Sequence, residues 1–102
     1  MEKQDVLAGL AALAQETRLD VFRLLVQAGP DGATPGEIAE TLDVTPATLS
    51  FHLKELRNAG LVEVEREGRT LWYRPDFARM RAVLGYLTDN CCQGRGRRRV
   101  TD

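Results

Sequence analysis

The sequence predicts a mainly α fold with one small β-hairpin, the arrangement of a winged helix-turn-helix. Three observations predict it. Two Thr-Pro dipeptides, Thr34-Pro35 and Thr45-Pro46, each open a run with apolar residues at helical spacing. Two segments of strand-type spacing flank Glu67-Gly68. The chain has 102 residues, one domain's worth on the usual scale of roughly 100 to 200. A domain this small has a modest core, so pairing with a second copy is a natural source of further buried area.

Taken in order, Val6, Leu7, Leu10, Leu13 and Ala14 recur at helical spacing and predict a first helix from Asp5 to Ala14. Thr17 is placed to cap a second, in which Leu19, Phe22, Leu24, Leu25 and Val26 form a largely buried stripe before Gly29, Pro30 and Gly32 end it. Thr34 is an N-cap with Pro35 at the first helical position, and Glu37 completes a capping-box pattern for a short third helix. Thr45 and Pro46 repeat the signal, and Leu49, Leu53 and Leu56 form the inward stripe of a fourth. These two short helices and their tight turn make a helix-turn-helix. Gly60 suits the left-handed position after a helix.

The segment LVEVEREGRTLWYRP then predicts a hairpin closed by Pro75, with Gly68 in the turn. Phe77, Met80, Val83, Leu84 and Leu87 place a final helix from Asp76 to Asn90, with Cys91 and Cys92 at its end. The domain is expected to span residues 1–92. Residues 93–102, QGRGRRRVTD, have the Gly and Arg bias of a disordered basic tail. The first and last helices are left over to pack against something.

A net charge of -1 hides a polarised chain. Residues 1–50 carry three basic side chains against eight acidic ones, and residues 51–102 carry eleven against seven. That asymmetry points to a basic surface with an anionic partner such as DNA. No apolar run approaches the roughly 20 residues a membrane helix needs, and the N-terminus has no signal-type core. A cytoplasmic protein is expected, in which Cys91 and Cys92 are free thiols open to a soft ligand or an oxidant. One histidine, no nucleophile elbow and no phosphate-cradling glycine loop leave no catalytic constellation.

With its leucines inward, the fourth helix turns Ala47, Ser50, Phe51, Lys54 and Asn58 outward, with Thr48 and His52 on the flank. Such a face suits a major groove: small residues for close approach, hydroxyls for base edges, a cation for phosphate, and Phe51 for a thymine methyl. The candidate DNA-binding residues are therefore Thr45, Ala47, Thr48, Ser50, Phe51, His52 and Lys54, joined by Arg66 and Arg69 of the wing. The blander reading makes them ordinary surface residues, with His52 half-buried and packed. Arg74 is a further wing cation, while Glu63, Glu65 and Glu67 would repel DNA unless strand alternation turns them away.

The segments LAALAQETRLDVFRLL (10–25), GEIAETLDVTPATLSFHLKELRNAGLVEVEREGRTLWY (36–73) and the last helix resemble the ArsR/SmtB-type metalloregulatory repressors. The resemblance implies a homodimer built by the first and last helices, bound to a palindromic double-stranded DNA operator and released by an inducer. It further implies a metal or metalloid inducer. The third helix has no cysteine, and His52 is the only histidine, so thiol-cluster and His-carboxylate sites have no ligands there. Cys91-Cys92 is similar to the pair of arsenite-responsive members, whose third tail cysteine is absent here, and As(III) or Sb(III) is the implied ligand. A dithiolate site, or four sulfurs pooled from two chains, would fill the gap. Arg95 and Arg97 to Arg99 are expected to lower the thiol pKa values. A thiol redox sensor is the alternative on the same residues; a protein-interaction module without an operator is the alternative on the same fold.

Overall fold

The computed structural model describes residues 1–93. Its elements are α1 (Lys3–Leu13), α2 (Glu16–Ala28), α3 (Pro35–Leu42), α4 (Pro46–Asn58), β1 (Val62–Glu67), β2 (Thr70–Pro75) and α5 (Phe77–Thr88). This is the winged helix-turn-helix that the sequence predicts, with three boundary corrections. The first helix runs from Lys3 to Leu13, two residues earlier at its start and one at its end than Asp5 to Ala14. The cap of α2 is Gln15, whose side-chain oxygen accepts from the Arg18 N–H at 2.9 Å, while Thr17 lies inside the first turn. The last helix ends at Thr88, where the hydroxyl folds back onto the carbonyls of Leu84 and Gly85 at 3.1 and 3.3 Å. Cys91 and Cys92 therefore sit in a turn beyond the helix.

Both Thr-Pro signals act as caps. Thr34 Oγ1 accepts from the Glu37 N–H at 3.2 Å, and Glu37 Oε1 accepts from the Thr34 N–H at 2.9 Å, a complete capping box. Thr45 Oγ1 accepts from the Thr48 N–H at 3.2 Å and donates to Thr48 Oγ1 at 2.9 Å. Inside, Val21, Phe22 and Leu25 of α2 meet Ile38 of α3, Leu49, Leu53 and Leu56 of α4, and Leu61, Val62 and Tyr73 of the wing. Leu25, Ile38 and Leu56 have no exposed surface, so truncating one to alanine would cost about 2 to 5 kcal/mol.

The wing is one antiparallel pair in the register Val62↔Pro75 to Glu67↔Thr70, leaving Gly68 and Arg69 as its turn. Gly68 has φ +65°, which glycine adopts without strain. A lone rung joins β2 to the α2–α3 loop: Ala33 and Tyr73 exchange N–H to carbonyl bonds at 2.8 Å each. At the other end, α1 packs on α5 through Val6, Gly9 and Val83, all buried. Both helices also carry large apolar side chains in water: Leu7 is 50% exposed, Leu10 39%, Leu84 56% and Leu87 55%. Each pair is spaced i, i+3 and so lies on one side of its helix.

Candidate nucleic-acid interface

The outer side of α4 presents Ala47, Thr48, Ser50, Phe51 and Lys54, all exposed, with the cap residue Thr45 exposed just before them. Phe51 is 56% exposed. The first turn of α4 contains no acidic residue, so nothing offsets the partial positive charge that a helix N-terminus carries. Farther along, Ser50, Lys54, Arg57 and Asn58 line one open cleft with Tyr73 of the wing. Arg57 is exposed and lies one turn on from Lys54. Sequence reasoning missed it, although the i, i+3 spacing from Lys54 is the signal that finds it.

His52 is a correction. Its side chain is only 8% exposed and lies with Leu49, Leu53 and Leu56 on the inner side of the helix, so it does not join the outer face. The ring meets Phe51 edge-on with centroids 5.3 Å apart, and Nδ1 is buried without a hydrogen-bond partner. Burial, first, and the Arg18 charge, second, hold its pKa below the ordinary 6.5, with Glu55 pulling the other way. Position 52 is i+3 from Leu49 and i−4 from Leu56, so the periodicity already put it on the core stripe.

On the wing, Arg66 and Arg69 are exposed near the tip. Arg74 is engaged elsewhere: its Nε lies 2.9 Å from Glu63 Oε1 and its Nη1 2.9 Å from Glu65 Oε1. The pairing register puts Arg74 directly opposite Glu63. Two of the three wing glutamates are thus neutralised within the hairpin. Strand alternation sets Arg66 on the face opposite to Glu63, Glu65 and Glu67.

Cys91 and Cys92 are exposed free thiols whose Sγ atoms lie 3.2 Å apart. Two thiolates that each bond a soft ion at about 2.3 Å can be up to about 4.6 Å apart, so this pair can grip one ion together. Among the described residues no group of three or more His, Cys, Asp or Glu side chains could hold a metal. The Cys91 thiol is pushed up, chiefly by its hydrogen bond with Cys92 and further by burial, the reverse of the expected lowering. The arginines expected to lower it, Arg95 and Arg97 to Arg99, lie outside the described residues, as does the tail from 94 onward. Among the described residues no helix is long and apolar enough to cross a membrane.

Comparison with known proteins bears on this geometry. Residues 13–65 match the family described as a helix-turn-helix domain. The transcriptional activator HlyU of Vibrio cholerae is 32% identical over 84 residues, covering 82% of this chain and 75% of that protein. Its solved structure superposes with a TM-score of 0.70 at 30% identity, over 91% of this chain and all of that one. A putative arsenical resistance operon repressor, ArsR of Halobacterium salinarum, is 37% identical over 65 residues, 64% of this chain and half of that protein. The homodimeric winged helix-turn-helix DNA-binding domain of Mb0332 from Mycobacterium bovis, a possible ArsR-family transcriptional regulator, superposes with a TM-score of 0.67 at 29% identity, covering 94% of this chain and 89% of that one.

Proposed function

Because the chain belongs to the winged helix-turn-helix transcriptional regulators of the ArsR type, we propose that it is a homodimeric repressor, released from a palindromic operator when As(III) or Sb(III) binds Cys91 and Cys92. The relatives named above are regulators, and this chain is a regulator rather than an enzyme. The observation that carries the reading is the outer side of α4: small hydroxyl residues, a 56% exposed Phe51, Lys54, and a first turn free of acid. Thr45, Ala47, Thr48, Ser50, Phe51 and Lys54 enter the major groove, and Arg66 and Arg69 reach backbone phosphate.

The dimer forms through α1 and α5, which supports the reading because Leu7, Leu10, Leu84 and Leu87 are otherwise left in water. It sets two α4 helices in successive major grooves, about one helical turn apart. The protein acts in the cytoplasm, where its thiols stay reduced.

HlyU is named an activator and the halobacterial relative a repressor. Thiols placed just after a dimerising helix favour release by inducer. Each thiolate replaces an oxygen ligand on the trivalent ion, and the thiol protons leave with the displaced oxygen as water. Release requires the ion to favour the DNA-incompetent dimer, by about 1 to 3 kcal/mol if coupling is of ordinary size. Oxidation of the same exposed pair is the second reading, favoured by the 3.2 Å separation.

Fluorescence anisotropy of the reduced protein on an operator duplex, with random duplex as control, tests both. Arsenite is expected to weaken operator binding about 5- to 150-fold, and Cys91→Ser with Cys92→Ser to abolish that response while leaving binding intact. Retained induction in the double variant sinks the thiol trigger. Release by peroxide but not by arsenite selects the redox reading, and equal affinity for random duplex sinks the operator.

A further inference from the structure

We infer that Arg79 is the residue through which the last helix fixes the angle of α4, and with it the operator spacing the dimer accepts; this rests on the operator-binding dimer proposed above. The argument begins where α4 ends. The Gly60 N–H donates to the Arg57 carbonyl at 2.9 Å and the Leu61 N–H to the Leu56 carbonyl at 3.0 Å. Gly60 takes φ +78°, and Leu56 and Leu61 are both buried in the core. This is a Schellman stop with its apolar contact.

The space beside Gly60 is already filled. A β-carbon there would lie 2.6 Å from Nη2, 2.8 Å from Cζ and 2.9 Å from Nε of Arg79, so the guanidinium as a whole rests on the end of α4. Its base is fixed as well. The Asp76 side chain accepts from the Arg79 N–H at 2.9 Å, and the Asp76 N–H donates to the Leu61 carbonyl at 2.8 Å. Nη1 also faces Asp5 Oδ1 of α1 at 3.9 Å. One side chain therefore joins α5 and α1, the pair assigned to the dimer, to Gly60 between α4 and the wing.

Charge supports the placement. In the first turn of its own helix a cation is disfavoured by the helix dipole, whereas the C-terminal end of α4 favours one. A β-carbon at Gly9 would lie 3.5 Å from Leu61 and 3.7 Å from Val83, so the neighbouring packing is apolar and non-directional and tolerates tilt. The guanidinium, with Nη2, Cζ and Nε all against Gly60, is the rigid planar part of the joint. Because each α4 must meet a groove one helical turn from its twin, a loosened joint widens the range of half-site spacings.

The test compares the full chain with Arg79→Met and Arg79→Lys. The first measurement is amide hydrogen exchange at Ala59, Gly60 and Leu61, and the second is binding to duplexes selected by the wild-type protein, with the half-site spacing changed by one base pair either way. Arg79→Met is expected to speed exchange about tenfold at those amides and not at Leu25 or Ile38. A one-base-pair change is expected to cost the wild type about tenfold in affinity and Arg79→Met about threefold or less. Arg79→Lys keeps the charge without the planar fork and is expected to follow Arg79→Met.

Unchanged exchange overturns the joint. An equal loss at every spacing, or full rescue by lysine, overturns the spacing role and makes Arg79 a plain cation. If the wild type prefers no duplex, the operator reading fails instead, and exchange alone decides the joint.

Discussion

α3 and α4 start from the same dipeptide, Thr-Pro, and satisfy their N-termini differently. At α3 the residue three past the cap is Glu37, whose carboxylate takes the Thr34 N–H and sits against the positive end of the helix. At α4 that position is Thr48, which offers only a hydroxyl to Thr45, and the first turn holds no acid. The first helix start is electrostatically complete within the chain, and the second is left for an outside anion. A helix start in solvent keeps its dipole free for an outside anion only where its own sequence supplies no carboxylate, which is the condition at α4 and the basis of the docking proposed above.

Making the two alike breaks the comparison most sharply. Thr48→Glu gives α4 the capping box of α3; the melting temperature is expected to hold or rise, while operator affinity falls about a hundredfold as a carboxylate enters the phosphate seat. Affinity within about threefold of wild type, by anisotropy, would mean that α4 does not dock by its N-terminus. Removing the caps one at a time has a smaller effect. Thr34→Ala and Thr45→Ala are each expected to lower stability by about 1 kcal/mol in denaturant melts. Only Thr45→Ala is also expected to weaken the operator complex, and equal effects on DNA would erase the distinction between the two starts.

The smallest effect concerns the inner side of α4. His52 has its folded-state pKa below 6.5, so the unfolded chain binds the proton first. Stability should therefore decline as pH falls through about 6.5 towards the folded-state value. Thermal melts between pH 7.5 and 5.5 should show this slope in the wild type and a shallower one in His52→Met. Identical slopes would place the titrating group elsewhere.

What the sequence made legible was local. The Thr34 and Thr45 caps, the leucine stripe of α4 and the Gly68 turn all depend on residues a few positions apart, and each stands where its spacing puts it. His52 stands on the flank of the outer face by helical position alone, and its spacing from Leu49 and Leu56 carries it onto the core side, which is the packed alternative the sequence also offers. α5 ends earlier than its apolar spacing predicts because the Thr88 hydroxyl bonds back to its own helix and Asn90 turns the chain with φ +62°. Arg79 on Gly60 and Arg74 between two glutamates depend on packing between elements, for which a single sequence carries no spacing signal.

The lone rung between Ala33 and Tyr73 also bears on how the protein behaves at high concentration. A two-stranded ribbon offers unpaired backbone along both flanks, an invitation for neighbouring molecules to add strands. The β2 flank is obstructed midway by Ala33, and the outer end of β1 carries the exposed charges Arg66 and Glu67, which discourage edge-to-edge stacking. A wing protected in this way can stay extended in solution without seeding aggregates.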